Sequence, residues 1–310
     1  MAKDGEGMRE PVLVIDAGNT TTCFGVACGG ALVSTWETST DPRATADEAL
    51  CALRAFLGAL GEGLARVDAA ACGGGLAAAA GQAPSSSCAP ASPSSFAPAS
   101  GQAPLPAPLR PRDGIVSSVV PPLTDVWVEA ASRLCGRAPL VVGPGLKTGL
   151  KMSYSDPGEV GADRVADMVA AKELYGAPAV VVDLGTTTNI EVLDARNAFA
   201  GGIIAPGLRL SAEALAGAAA RLPMVEVKAP ERVVGRSTRE AMQAGIVMGE
   251  VARIDGLIDM VWAEMGCERT TVVLSGRDAC ALGALMRHDV VVEPALTLKG
   301  LVLLHAANRR

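Results

Sequence analysis

The chain has 310 residues, of which 19% are charged, with a net charge of -6. That length suits two domains of roughly 100 to 200 residues each better than a single core. An acidic chain with no basic stripe argues against binding a phosphate backbone, and no apolar run approaches the about 20 residues that a membrane-spanning helix needs.

In chain order, Met1 to Glu10 is polar and charged and lacks the apolar centre of a signal peptide, so a cytoplasmic location is expected. Val12 to Asp16 is an apolar run that ends in a carboxylate. Thr22 to Ala27 and Ala31 to Trp36 follow, the latter after the Gly29-Gly30 turn, and the three predict an antiparallel meander. From Thr45 to Leu60, the apolar residues Leu50, Leu53, Leu57 and Leu60 recur at helical spacing, so one helix face packs on that sheet.

Residues 72 to 112 break the pattern. Cys72 to Leu109 carries no charge, is dominated by Gly, Ala, Pro and Ser, and contains GQAP at Gly81 and Gly101 and APAS at Ala89 and Ala97. So few large apolar groups cannot offset the entropy of ordering the chain, which predicts a disordered insertion in a loop. Gly114 to Val120 then reads as a strand ending at Pro121-Pro122, followed by a helix to about Cys135.

A second lobe is expected over 143–310, after a first over 1–142. It opens on a helix from Gly161 to Leu174 and continues with strands at Ala179 to Asp183, Asn189 to Asp194 and Ala198 to Ile204. Helices from about Pro206 and Ser237, a strand at Thr271 to Leu274 and a helix through Leu301 complete it. Strands interleaved with helices in both halves predict an α/β protein of two domains, each a mixed sheet flanked by helices.

The two halves share an opening. Asp16-Ala17-Gly18-Asn19-Thr20-Thr21-Thr22 and Asp183-Leu184-Gly185-Thr186-Thr187-Thr188-Asn189 each put a carboxylate at the end of a buried strand and a Gly-Thr turn after it. Successive turn amides and hydroxyls make a concave donor surface suited to phosphate oxygens, and glycine lets the backbone come close. A carboxylate at the rim can hold magnesium, which offsets charge on a phosphate in transfer. One such turn is equally an Asp-capped hairpin; two in equivalent positions point to a phosphate clamp. The P-loop and dinucleotide glycine patterns are absent. The eight cysteines form no C-x-x-C pair and are expected as buried thiols, while His288 and His305 lack the neighbours of a zinc site or catalytic triad and are expected in packing or surface roles.

Six segments, in order, carry a resemblance to the type III pantothenate kinases: DAGNTTTCFGV at Asp16, SSVVPPL at Ser117, YSDPGEVGADRVAD at Tyr154, VVDLGTTTNIEVLD at Val181, GGIIAPGLRLSAEAL at Gly201 and GRSTREAMQAGIVMG at Gly235. LTLKGLVLL at Leu296 also fits. The resemblance implies a two-lobed, duplicated ribonuclease H-like fold of the actin-like ATPase kind. It implies transfer of phosphate from ATP to pantothenate in the first step of coenzyme A synthesis, in a cleft that closes around both substrates.

Carried over residue by residue, it implies that Asp16, Gly18, Asn19, Thr20, Thr21 and Thr22 contact ATP phosphates, with magnesium on Asp16, and that Gly185, Thr186 and Thr187 close on them from the other lobe. Asp183 would serve magnesium or a monovalent cation, potassium or ammonium. Asp163 of G-A-D-R would be the general base; Tyr154, Gly161, Ala162, Asp163, Arg164 and Thr238 would line the pantothenate site; Gly202 and Gly207 would lie beside the adenosine. A homodimer is implied, with Thr238 reaching the partner's pocket. The stripe Ala241, Gly245, Met248 and Ala252 serves either that dimer or packing within its own lobe.

For an arbitrary chain, Asp163 would cap its helix and Arg164 pair on the surface; Tyr154 and Pro157 at family spacing favour the site. The rival reading is a non-catalytic regulator related to the family, or a kinase of another small metabolite; retention of Asp16, Asp163, Arg164 and Asp183 together argues against the regulator. Two departures stand out: Gly185-Thr186-Thr187-Thr188-Asn189, ending in Thr188-Asn189, where the family writes G-T-A-T-T, and Arg277 in Ser275-Gly276-Arg277 where the family has glycine. Arg277 would either crowd the base or add a cation near phosphate or ribose.

Overall fold

The computed structural model describes residues 10–61, 110–218 and 222–309. The predicted insertion at 72–112 therefore lies almost wholly outside the described residues. The chain divides into two compact units, Met1–Thr148 with Gly161–Ala166 and Thr297–Arg310, and Gly149–Val160 with Asp167–Leu296.

The first unit holds a five-stranded sheet. Strands β1 (Val12–Ala17), β2 (Thr21–Cys28) and β3 (Ala31–Ser39) form the expected meander. After helix α1 (Ala46–Gly61), β4 (Asp113–Ser118) pairs parallel to β1, and β5 (Leu140–Val141) pairs parallel to β4. The strand order is β3-β2-β1-β4-β5.

Helix α2 (Pro121–Cys135) begins on the proline pair rather than after it. Proline's fixed φ suits the first helical turn, where its missing N–H would have no partner anyway. Gly136, in the left-handed region at φ 78°, ends the helix by donating to the Ser132 carbonyl. Leu50, Leu53 and Phe56 of α1 and Leu123 and Trp127 of α2 bury against Leu13, Ile15 and Phe24. That face explains why α1 forms: its apolar residues fall on one stripe, and Thr45 and Glu48 form a capping box at its start.

The second unit repeats the plan. Strands β7 (Ala179–Leu184), β8 (Thr187–Leu193) and β9 (Ala198–Pro206) form a meander, and β10 (Thr271–Gly276) and β11 (Val291–Val292) continue it in parallel. The order β9-β8-β7-β10-β11 reproduces that of the first sheet strand for strand, with β6 (Lys151–Met152) added beyond β9. The duplicated α/β fold expected from the paired acidic turns is thus present as a duplicated topology.

Helix α3 (Ala162–Tyr175) precedes β7. Helix α4 (Leu208–Ala218) follows β9, and α5 (Thr238–Gln243) runs through a π turn at Ala244–Met248 into α6 (Gly249–Met265). Ile246, Val251, Ile254 and Ile258 from this run bury against Val180, Val182 and Leu274. Short helix α7 (Ala279–Gly283) and terminal helix α8 (Leu296–Asn308) complete the chain. Gly300 of α8 is required by a close approach, since a Cβ there would sit 2.0 Å from the Ala166 carbonyl oxygen.

Both histidines serve packing. His305 faces the buried Asp113 carboxylate at 3.2 Å, which also meets Arg137 and Arg309. His288 lies edge-on to Trp262 and 3.0 Å from Asp259. The cysteines correct the expectation of buried thiols: Cys51 and Cys280 are exposed on α1 and α7, and Cys23, Cys28, Cys135 and Cys267 are half-buried. Cys72 and Cys88 lie outside the described residues. Among the described residues, no helix is long and apolar enough to cross a membrane.

Candidate active site

The acidic turn of the first unit is a tight β1–β2 hairpin. Asp16 is half-buried between the fully buried Ile15 and Ala17 at the end of β1, Gly18 N–H donates to the Thr21 carbonyl at 3.1 Å, and Thr40 N–H donates to the Thr20 carbonyl at 2.9 Å. Gly18 is needed because a Cβ would approach the Thr21 carbonyl oxygen to 2.9 Å. Asn19 and Thr20 stand exposed at the tip, with Thr21 half-buried. Thr22, expected among the phosphate contacts, is buried, and its hydroxyl pairs at 2.9 Å with that of Thr40, which itself donates to the Gly18 carbonyl.

The β7–β8 turn has the same place in the second sheet. Gly185 N–H donates to the Thr187 carbonyl at 3.0 Å, leaving Gly185 and Thr186 exposed and Thr187 half-buried. Two glycines let neighbouring backbone close on it. A Cβ on Gly207 would come within 2.5 Å of the Gly185 carbonyl oxygen, and one on Gly276, at φ 91°, within 2.4 Å of that of Leu184. Beside the turn is a shallow recess lined by Leu184, Gly185, Thr188, Leu208 and Asp278.

A pairing missed from the sequence accompanies each acidic residue. Asp16 is in register with Ser117 of β4, and Asp183 with Ser275 of β10. Register partners project from the same face of a sheet, so each carboxylate has a serine beside it, and both serines are buried. Among the described residues, Ser117 Oγ has no hydrogen-bond partner. Aligning the apolar strand that ends in Ser117 with the one that ends in Ser275 would have exposed this equivalence.

Asp163 belongs to the first unit. It lies in the first turn of α3, where a Cβ on Gly161 would be 2.5 Å from Asp163 Oδ1 and 3.4 Å from Val119 Cγ1. Val119 in turn donates its N–H to the Ala17 carbonyl. Asp163 therefore occupies the end of the first sheet at which Asp16 lies. Burial raises its pKa above the usual carboxylate range, against the opposing hydrogen bond from Arg164 N–H and the Arg164 charge. Arg164 is buried.

The remaining candidates sit on the second unit. Tyr154, just after β6, packs on Phe199 with ring centroids 5.5 Å apart. Gly202 is exposed in mid-β9 opposite Glu191, away from Gly207, which packs on the turn itself. Thr238 is exposed at the start of α5, where Ser237 Oγ accepts from Glu240 N–H and the Glu240 carboxylate accepts from Arg236 N–H. Arg277 is exposed directly after Gly276.

The site also contains residues that sequence reasoning passed over. Thr188, at the base of the β7–β8 turn, meets the buried carboxylate of Glu250 at 2.5 Å. Glu250 pairs with Arg253, and Arg253 donates to the Pro206 carbonyl at 2.6 Å.

Comparison with known proteins gives one consistent result. Residues 12–80 and 94–260 match the family described as type III pantothenate kinase. Proteins named type III pantothenate kinase include one from Moorella thermoacetica, 34% identical over 297 residues that cover 96% of this chain and 99% of that one. One from Brevibacillus brevis is 36% identical over 306 residues, covering 96% and 99%. One from Acidothermus cellulolyticus is 39% identical over 302 residues, covering 96% and 98%.

Proposed function

The chain belongs to the type III pantothenate kinase family, and from that premise we propose how its residues divide the work of the reaction. The enzyme transfers the terminal phosphate of ATP to a hydroxyl of pantothenate, giving 4′-phosphopantothenate at the entry to coenzyme A synthesis. It works with a divalent metal carried by ATP.

In this reading Asp16 and the tip from Gly18 to Thr21 bind the phosphates, with Thr22 bracing the tip through Thr40, and Gly185, Thr186 and Thr187 supply the second set of donors. The observation that carries the proposal is the repetition: two acidic turns occupy the same place in two sheets of one strand order, and Asp163 lies at the Asp16 end of its sheet. The oxygen donors fit magnesium, since Asp16 offers a carboxylate and Ser117 beside it a buried hydroxyl with no partner among the described residues. When bound, that ion would offset charge on the phosphoryl oxygens. Asp183 is assigned to magnesium or to potassium or ammonium.

Asp163 accepts the proton as the pantothenate hydroxyl oxygen forms its bond to the γ-phosphorus and the bond to the β–γ bridging oxygen breaks, releasing ADP. A carboxylate poised by burial is suited to that transfer, because its raised pKa makes it a stronger base than a solvated aspartate. Gly161 and Ala162 bring the backbone to the acceptor, Arg164 offers a planar fork to the pantothenate carboxylate, and Tyr154 and Thr238 flank it. Gly202 and Gly207 are assigned to the adenosine side.

The test is the reaction itself. Purified protein with ATP, magnesium, potassium and pantothenate is expected to form ADP and phosphopantothenate in equal amounts, resolved by mass spectrometry. ADP formation that does not depend on pantothenate, with no phosphorylated product, would rule the acceptor assignment out.

A homodimer, working in the cytoplasm, is proposed from the surface of the second unit. Ile204, Met224, Val233, Val234 and Met260 are exposed, Val234 by 79%, and Ala241, Gly245 and Ala252 present small residues to the outside. These exposed apolar side chains supply area that an interface between two copies would cover. Light scattering is expected to give twice the chain mass, and Gly245→Glu to give monomers; a parent protein that is monomeric at micromolar concentration would contradict this.

A further inference from the structure

The geometry points to Glu250 and Arg253 as positioning residues for nucleotide, a clamp through which one turn of α6 fixes both flanks of the Gly185–Thr187 tip. The inference rests on the assignment of that tip to ATP phosphates and extends it to residues that do not touch the ligand.

Glu250 is only 4% exposed, on a helix face otherwise formed by Ile246, Val251 and Ile254. A carboxylate in such surroundings is unfavourable unless its oxygens are paired, and an apolar side chain of similar size would stabilise the helix at least as well. What the carboxylate adds is direction. Oε1 takes the Thr188 hydroxyl at 2.5 Å, and Oε2 takes Arg253, whose other contact is the Pro206 carbonyl at 2.6 Å.

Thr188 pairs in register with Leu184 on one side and Ala205 on the other, so it lies at the base of the tip. Pro206 precedes Gly207, the residue packed against the carbonyls of Gly185 and Thr186. The two hydrogen bonds therefore hold the tip from β8 and from the end of β9. A tip whose amides must be aimed at phosphate oxygens before ATP arrives gains from such restraint, because ordering done in advance is not subtracted from binding. The same restraint accounts for Thr188 standing buried among apolar residues.

The experiment titrates the full chain with the magnesium complex of a non-hydrolysable ATP analogue, without pantothenate, so that an error in the acceptor leaves it readable. Glu250→Met keeps the length but removes together the acceptor for Thr188 and the charge that holds Arg253; Thr188→Val keeps shape but removes the donor. Each is expected to weaken binding about ten-fold, and the double variant no more than Glu250→Met alone, because without the carboxylate the Thr188 hydroxyl has no clamp left to join. Thr188→Ser is expected to bind as the parent does, and KM for pantothenate to stay unchanged in all. Cooperatively folded variants that bind the analogue as tightly as the parent, or effects that multiply in the double variant, overturn the clamp. If Thr188→Val does not fold, Arg253→Met is read by the same titration, since it removes the one nitrogen, Nη2, that reaches both Glu250 and Pro206. A parent chain that does not bind the analogue overturns the clamp together with the tip assignment.

Discussion

Asp163→Asn is expected to lower kcat by about 10³-fold while changing KM for ATP and pantothenate little, since a positioned general base contributes on the order of 10² to 10⁴. Asparagine keeps the shape and can still accept the hydrogen bond that Arg164 N–H gives to Asp163 Oδ1, so the first turn of α3 should persist. What is lost is the place for the proton. A variant within ten-fold of the parent would remove Asp163 from the chemistry.

The raised pKa adds two signed consequences. Burial is its largest cause, so the acid limb of kcat/KM should lie above the usual carboxylate range. Activity falls as pH drops through that pKa, because the protonated acid cannot accept the hydroxyl proton; in Asp163→Asn the limb should disappear. For stability the sign reverses. A folded-state pKa above the unfolded one favours folding while the group is protonated, and that contribution is lost as pH rises through the folded pKa. At neutral pH the folded enzyme therefore carries an ionised carboxylate at a disadvantage. Asp163→Asn should melt higher than the parent at neutral pH, and the difference should vanish in acid below the unfolded pKa.

Local pattern made the paired hairpins and most helices legible. Val12 to Asp16 and Ala179 to Asp183 are continuous apolar runs bounded by turns, and α1 shows its buried stripe at Leu50 and Leu53. The short edge strands escaped notice. The pairs at Leu140, Lys151 and Val291 are two residues long and exist only because a neighbouring strand offers hydrogen bonds. The same limit governed the site. Asp16, Asp163 and Asp183 stand in recognisable segments, whereas Glu250 reads as an ordinary solvent-facing helix carboxylate until Thr188, 62 residues earlier, is seen beside it. Gly276 likewise reads as a plain turn glycine; only the tertiary approach of Leu184 shows that no side chain fits. The cysteines misled for a related reason, since composition favours buried thiols but says nothing about which helix face Cys51 and Cys280 occupy.

Asp16→Asn is expected to reduce kcat/KM by about 10² to 10³, equivalent to roughly 2.7 to 4 kcal/mol of transition-state stabilisation. That range is reasonable for a carboxylate facing a hydrated dication: two unit charges 4 Å apart interact by about 4 kcal/mol at an effective dielectric constant of 20, and water recovers part of what is lost. Asparagine fits β1 without disturbing it, because Asp16 takes its place through backbone pairing with Cys23 and Ser117. The two aspartates then separate by metal dependence. If Asp16 holds magnesium, excess magnesium should restore much of the lost rate in Asp16→Asn and none in Asp163→Asn, whose defect is in proton transfer. Identical magnesium curves for Asp16→Asn and the parent would place the ion elsewhere and leave Asp16 as a structural end to its strand.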